Sequence, residues 1–114
     1  MIVRLSSWIV HESQLARYLE YVESTVIPTY KTAPGLIRVH VLQRPMVSYE
    51  EVLTVSLWRS VEDLKRFSLG EPPTDCIKAK YDAIALESRT YQRTYQIRLS
   101  GEGERPDEPA RQKE

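Results

Sequence analysis

The order of two hydrophobic periodicities along the chain limits its fold more than any other feature. Residues 2–10 repeat every two positions, because Val3, Leu5 and Ile9 alternate with more polar neighbours. This alternation is typical of a β-strand with two unlike faces. Residues 12–32 instead carry apolar side chains every three or four positions, which is the spacing of one helix face. The chain is therefore expected to begin with a strand followed by a helix.

The same two periodicities alternate through the rest of the apolar sequence. Alternation over residues 36–44 and 51–58 predicts two strands, and their short connection predicts an antiparallel hairpin. Helical spacing over residues 60–70, and again from Thr74, predicts helices before a last strand over residues 90–99. The order β-α-β-β-α-β is that of the ferredoxin-like fold. We therefore expect an α+β domain in which helices cover one face of a four-stranded antiparallel sheet.

Local signals place the helix ends. Pro28 has no backbone N–H, so it should kink the first helix or end its regular part. Pro34 and Gly35 should stop that helix completely. Ser60 followed by Asp63 resembles a capping box and should start the next helix.

Length, charge and cysteine content narrow the class of protein. The 114 residues fit one domain, predicted to span residues 1–100, and the Gly-, Pro- and charge-rich residues 101–114 predict a disordered tail. Lys plus Arg equals Asp plus Glu at 16 each, which argues against nucleic-acid binding. No apolar run approaches the ~20 residues of a membrane span. The one cysteine, Cys76, cannot form an internal disulfide, so a cytoplasmic protein is expected.

The two faces of the predicted sheet differ in character. The aliphatic residues at odd positions of the first strand, and their counterparts on the other strands, are expected under the helices. The opposite face would expose two tryptophans among polar groups, and pairing of two such sheets in a homodimer would cover it. A solvated face with scattered apolar residues is the alternative. The residues assigned to this face are Arg4, Ser6, Trp8, Arg38, His40, Leu42, Thr54, Ser56, Trp58, Gln92, Thr94, Gln96 and Arg98.

One stretch of the sequence resembles a known family. Residues 34–58 begin with Pro-Gly, contain the predicted hairpin and end in Trp58, and residues 60–67 read SVEDLKRF. A helix ending in Pro-Gly, a hairpin, a tryptophan ending the third strand and a helix led by Ser-x-Glu occur in this order in antibiotic-biosynthesis-monooxygenase-like proteins. In layout, the resemblance covers residues 1–99.

The resemblance implies a dimeric α/β barrel of ferredoxin-like subunits with a pocket between sheet and helices. Some members oxidise aromatic polyketides with dioxygen and no cofactor, and others degrade haem. Haem-degrading members combine a first-strand asparagine, a third-strand tryptophan and a histidine in the following helix. Trp58 matches the tryptophan, but the first strand has no asparagine and residues 60–89 contain no histidine. Haem degradation by that arrangement is therefore not expected.

Four residues are candidates for a functional site. His40 is the best available general base near neutral pH, with a structural histidine at a dimer interface as the alternative. Trp58, Tyr18 and Tyr81 would shape a pocket for a planar substrate, with ordinary core packing as the alternative. No histidine or cysteine spacing predicts a metal site, and no Gly-rich loop predicts a phosphate-bearing cofactor. We expect cofactor-independent oxidation or binding of a small aromatic molecule; the alternative is a non-catalytic dimeric binding or regulatory protein.

Overall fold

A computed structural model describes residues 1–68 and 91–103 of the protein and shows four strands in one antiparallel sheet. The strands are β1 (Ile2–His11), β2 (Leu36–Pro45), β3 (Tyr49–Trp58) and β4 (Tyr91–Gln96), and they lie in the order β2-β3-β1-β4. This is the order of a ferredoxin-like α+β fold, so the predicted fold class is confirmed. The predicted helix after Thr74, with Cys76 and Tyr81, lies outside the described residues.

One helical segment connects β1 to β2. His11 Nδ1 accepts a hydrogen bond from the Ser13 amide at 3.1 Å, so His11 caps the start of this segment. A further helix follows β3. In the described part of the chain no helix is both long and apolar enough to cross a membrane. The bounds are a 3-10 turn (Glu12–Gln14), α1 (Leu15–Tyr21), a π-helical turn (Val22–Val26), α2 (Ile27–Lys31) and, after β3, α3 (Val61–Ser68).

The π-helical turn explains how the first helical segment accommodates Pro28. Because Pro28 has no N–H, it cannot donate the usual helical bond to the Ser24 carbonyl four residues earlier. The wide turn over Val22–Val26 lies directly before it, where the hydrogen-bond ladder is already displaced. The Thr29 hydroxyl then donates to the Thr25 carbonyl at 2.8 Å. The predicted end of regular helix is therefore observed.

The turn that ends this segment packs against the start of α3. Gly35 has a φ of 86°, a left-handed conformation that residues with a Cβ atom rarely adopt. Its carbonyl accepts from the Arg59 amide at 2.9 Å. Ser60 Oγ accepts from the Asp63 amide at 3.2 Å, which confirms the predicted cap. A Cβ placed on Gly35 would overlap the Asp63 carboxylate, so the turn and the cap require a glycine here.

The helices cover the even-numbered residues of β1 and β3, which corrects the predicted orientation of the sheet. Trp8 and Trp58 are buried in one cluster with helical side chains. The prediction holds only for β2, where Val39 and Val41 pack against the same cluster. Alternation shows which residues share a face, but both faces of β1 and β3 carry apolar residues, so alternation alone did not show which face the helices cover. The cluster also contains Val10, Tyr18, Val22, Val26, Tyr30, Ala33, Val52, Leu64 and Phe67.

We call the face under the helices the helix side and the opposite face the outer face. Directly paired residues of antiparallel strands share a face, and the pairing therefore assigns both. The outer face is aliphatic at its centre, where Val55 of β3 lies between Leu5 of β1 and His40 of β2. Within the single chain Ile9 of this face is buried, and its other aliphatic residues on β1 and β3 are partly buried: Val3, Leu5, Leu53, Val55 and Leu57.

Candidate functional site

Polar side chains occupy the centre of the helix side, where aliphatic residues would be expected. On β1 and β3, Arg4 lies opposite Ser56 and Ser6 lies opposite Thr54. The exposed fractions of Ser6 and Thr54 are only 3% and 1%. Hydroxyl groups buried to this degree must form hydrogen bonds if they are not to destabilise the fold.

Two of these hydroxyls have no hydrogen-bond partner among the described residues. Ser56 Oγ accepts a hydrogen bond from Trp58 Nε1 at 2.9 Å. Ser6 Oγ and Thr54 Oγ1, which we call the hydroxyl pair, are buried without any hydrogen-bond partner in the part of the chain described. An unsatisfied buried hydroxyl costs about 1–3 kcal/mol, and such groups in a native protein indicate a bound water or ligand.

Aromatic rings stand beside these hydroxyls. The Trp58 ring is completely buried, and its hydrogen bond to Ser56 holds its orientation. Its centroid lies 5.2 Å from that of Phe67 on α3, and Tyr30 on α2 lies 4.7 Å from Phe67. We call Trp58, Tyr30 and Phe67 the aromatic wall. The three rings are tilted by 32–49° to one another and pack together in the buried cluster. Aromatic side chains are common in the walls of sites for aromatic ligands.

Arg4 brings a positive charge to the same region. Its Nη1 donates to Ser68 Oγ at 3.0 Å and its Nη2 donates to the Tyr30 hydroxyl at 3.2 Å. Its Cζ atom lies 5.8 Å from the centre of the Phe67 ring. Arg4 Nε is buried without a hydrogen-bond partner in the described region. Both hydrogen-bond partners that the described residues provide to this guanidinium are therefore neutral hydroxyls.

Comparison with known proteins relates this architecture to oxygenases. No protein-family model matches the sequence, and no curated protein matches it. Among solved structures, the cofactor-independent oxygenase SnoaB from Streptomyces nogalater superposes with a TM-score of 0.68 at 14% identity, covering 87% of this chain and 95% of that one. The monooxygenase ActVA-Orf6 of Streptomyces coelicolor, in complex with nanaomycin D, has a TM-score of 0.68 at 13% identity, covering 90% and 92%. This protein has the antibiotic-biosynthesis-monooxygenase-like fold.

The monooxygenase-like fold is also that of a MhuD variant with two manganese protoporphyrin IX molecules bound per active site. That structure has a TM-score of 0.64 at 20% identity and covers 90% of this chain and 100% of that one. Structures with this fold therefore include complexes with nanaomycin D and with manganese protoporphyrin IX. At identities of 20% and below, the likeness to this chain is one of fold.

Within this fold, the predicted site residues fall on both sides of the sheet. Trp58 and Tyr18 are fully buried in the same cluster on the helix side. His40 is exposed on the outer face, opposite Val55, so the sheet separates it from the other two. Tyr81 lies outside the described residues.

Sequence reasoning missed Arg4 and the hydroxyl pair as site residues. It placed all three on one face with Trp58, which is correct, but it predicted that this face lies away from the helices, covered by a second subunit or by solvent. A usable signal was present, because Ser6 and Thr54 each lie on the same strand face as a nearby tryptophan. Small hydroxyl residues beside tryptophans on a strand face are an unusual composition for a solvated surface.

The outer face carries a separate polar network. Ser7 Oγ donates to Glu51 Oε2 at 2.6 Å, and Arg44 Nε and Nη2 donate to Glu51 Oε1 at 3.1 and 2.9 Å. The hydrogen bond from Ser7, together with Arg44, holds the pKa of the Glu51 carboxyl below its usual range, although burial acts in the opposite direction. Over residues 1–68 and 91–103, no cluster of histidine, cysteine, aspartate and glutamate could hold a metal ion.

Proposed function

We propose that this protein binds a small aromatic molecule between its sheet and its helices and oxidises it with dioxygen, without a cofactor. The observation that carries the proposal is the hydroxyl pair, Ser6 and Thr54, buried beside an aromatic wall and without partners among residues 1–68 and 91–103. A ligand oxygen would supply the missing hydrogen bonds. SnoaB is a cofactor-independent oxygenase and ActVA-Orf6 is a monooxygenase crystallised with nanaomycin D, and both support this reading.

Each side chain has a distinct role in this proposal. Trp58 stacks against the planar ligand, and Tyr18 closes the pocket from α1. Tyr81 is proposed to join them on the basis of its helical phase in the sequence. The hydroxyl pair orients oxygen substituents of the ligand, because each hydroxyl can both donate and accept.

The proposed reaction draws its electrons from the substrate. A methylene group between two electron-rich rings becomes a carbonyl: one atom of dioxygen enters the carbonyl, and the other leaves as water with the two methylene hydrogens. The protein excludes water and holds ring and oxygen together. Within the described buried cluster no histidine, aspartate or glutamate is present to act as a base.

The absence of a buried histidine, aspartate or glutamate among the described residues favours a second candidate function, a non-catalytic binding protein. The same pocket in a non-catalytic binding protein would need the hydroxyl pair and the aromatic wall but no proton acceptor. Haem degradation is a weaker candidate, because both histidines of the chain lie away from the pocket. His11 caps the first helical segment, and His40 lies on the outer face.

We also propose that the outer face binds a second copy of the chain. Its aliphatic centre, including Val55, is large for a solvated surface, and Leu42 and Tyr95 at its margins are 49% and 48% exposed. The face therefore has the apolar centre and mixed margin of a subunit interface. His40 and Arg38 would lie in that interface.

The hydroxyl pair provides the test of the binding site. In Thr54→Val, the unsatisfied hydroxyl is replaced by a methyl group of similar size. The unfolding free energy measured in urea should stay constant or rise, by up to about 1–3 kcal/mol. The affinity for anthraquinone-2-carboxamide, measured by quenching of tryptophan fluorescence, should fall about 2- to 10-fold because one neutral hydrogen bond is lost.

Thr29→Val is the matched control, because the Thr29 hydroxyl already donates to the Thr25 carbonyl. It should lower the unfolding free energy by about 1 kcal/mol and leave the affinity unchanged. Absence of quenching, or a destabilised Thr54→Val with unchanged affinity, would contradict the binding site. Oxygen uptake with anthrone, yielding anthraquinone and water, separates the oxygenase from the non-catalytic binding protein.

A further inference from the structure

We infer that Arg4 binds an anionic oxygen group of the ligand, so that the pocket selects aromatic carboxylates over neutral aromatic molecules. The inference rests on the proposed function, because it concerns a ligand in the same pocket. It adds a substrate class that neither the fold nor the aromatic wall specifies.

Arg4 carries a positive charge that is only partly exposed to solvent. An arginine side chain stays protonated at any physiological pH, so its positive charge must be compensated by solvent or by an anion. Arg4 is only partly exposed, and it takes part in no ion pair among residues 1–68 and 91–103. A partly buried charge without a counter-ion is costly. An anionic ligand would remove that cost.

Arg4 also leaves hydrogen-bond donors available. A guanidinium has five N–H donors, one on Nε and two on each Nη. In the described region, one bond goes to Ser68 Oγ, one goes to the Tyr30 hydroxyl, and Nε has no partner. A carboxylate accepts two parallel hydrogen bonds from Nε and an adjacent Nη. A carboxylate could therefore accept the hydrogen bonds that Arg4 does not form within the described region.

Arg4 is a neighbour of the hydroxyl pair on the helix side. Ser6 is two residues further along β1 and thus on the same face, and Thr54 is diagonal to Arg4 across the β1–β3 pairing. The groups without partners in this region are therefore all neighbours: a cationic N–H and two hydroxyls. Together they form one hydrogen-bonding surface suited to an acidic group with a nearby oxygen substituent.

The guanidinium of Arg4 also lies close to the aromatic wall. Arg4 Cζ is 5.8 Å from the Phe67 ring, and Phe67 is 5.2 Å from Trp58. A carboxylate bound to Arg4 would therefore place the ring attached to it next to the wall. The acidic group and the planar ring would then belong to one molecule. An isolated inorganic anion would interact with Arg4 but not with the aromatic wall.

Two probes of the same shape and different charge test the inference. Anthraquinone-2-carboxylate carries a negative charge at pH 7, whereas anthraquinone-2-carboxamide is neutral. The wild-type protein should bind the carboxylate about 10- to 100-fold more tightly, since a hydrogen-bonded charge pair contributes about 1.5–3 kcal/mol. Arg4→Gln should remove most of this preference, because it should weaken binding of the carboxylate much more than binding of the carboxamide. Binding is followed by tryptophan fluorescence or calorimetry.

Two further variants separate the charge from the fold. Arg4→Lys keeps the charge and should keep part of the preference for the carboxylate. Arg17→Gln removes an exposed charge from α1 and should leave the preference unchanged. If Arg4→Gln does not fold, the wild-type ratio and Arg4→Lys decide the question.

The outcomes distinguish this inference from the proposed function. Equal binding of both probes by the wild-type protein would overturn the role of Arg4 and leave the aromatic pocket in place. Retention of the full preference in Arg4→Gln would do the same. Binding of neither probe would overturn the proposed function, and the inference with it.

Discussion

At the scale of single residues, two adjacent serines show how position on a strand determines the role of a side chain. Consecutive strand residues point to opposite faces of a sheet. Ser6 therefore points to the helix side, where its hydroxyl has no partner within the described residues. Ser7 points to the outer face and donates to the Glu51 carboxylate at 2.6 Å. The first serine is the one proposed to bind a ligand, and the second forms a hydrogen bond within the fold.

The Ser7–Glu51 hydrogen bond makes part of the stability depend on pH. Because the pKa of Glu51 is lower in the folded protein than in the unfolded chain, its contribution is fully present above the unfolded value. The contribution is lost as the pH falls through the folded value. Ser7→Ala should lower the unfolding free energy by about 1–3 kcal/mol at pH 7, and this difference should shrink towards pH 3.

Urea unfolding of both proteins across this pH range measures the difference. Ser24→Ala is the control, because Ser24 is exposed and its hydroxyl makes only long contacts of 3.4 Å. A deficit in Ser7→Ala that stays constant from pH 7 to pH 3 would show that the hydrogen bond does not depend on the ionised carboxylate.

At the scale of elements, the turn after α2 and the cap of α3 form one unit. The left-handed Gly35 accepts from the Arg59 amide and faces the Asp63 carboxylate, which interacts with Ser60. The unit fixes α3 relative to the sheet. It also positions Phe67, which belongs to the aromatic wall.

Gly35→Ala should therefore destabilise the protein strongly. A left-handed conformation costs a non-glycine residue about 1–2 kcal/mol, and the added methyl group also displaces Asp63 from its cap. The melting temperature should fall by several degrees in a thermal unfolding experiment. Gly101→Ala is the matched control, since a Cβ at Gly101 meets no atom within 4 Å. Equal melting temperatures for the two variants would contradict the account of this turn.

At the scale of the whole molecule, the two faces of the sheet differ in composition. The helix side carries the hydroxyl pair, Arg4 and the aromatic wall, and the outer face carries the aliphatic surface proposed to bind a second copy. Neither face resembles the uniform aliphatic interior of a simple two-layer domain. If the helix side forms the proposed pocket, the proposed subunit interface on the outer face would add to the surface that the protein buries.

Val55→Asp tests the proposed dimer, because Val55 lies at the centre of the outer face between Leu5 and His40. Light scattering after size-exclusion chromatography should give about twice the 13.3 kDa chain mass for the wild-type protein and the single-chain mass for the variant. The control is Val47→Asp, at a hairpin residue that is 90% exposed, which should remain dimeric. A wild-type protein with the mass of one chain would rule out the interface.

The sequence by itself determined the element order and hence the ferredoxin-like fold. Periodicity reports directly on secondary structure, and the β-α-β-β-α-β order leaves few topologies. It also located the interruption at Pro28 and the cap at Ser60 and Asp63, because these signals act within a few residues. Trp58 and Tyr18, which the sequence suggested as pocket residues, are both buried in the structure.

Only the tertiary structure decided which face of the sheet the helices cover. Alternation is symmetric with respect to the two faces, and both faces of β1 and β3 are apolar enough to be buried. The packing of the helices onto the sheet determines this face. It places Arg4, Ser6 and Thr54 under the helices and not on the opposite face, where they were expected. The same packing leaves His40 on the outer face. The set of residues in the proposed pocket therefore depends on how the helices pack on the sheet, and local sequence patterns do not carry this information.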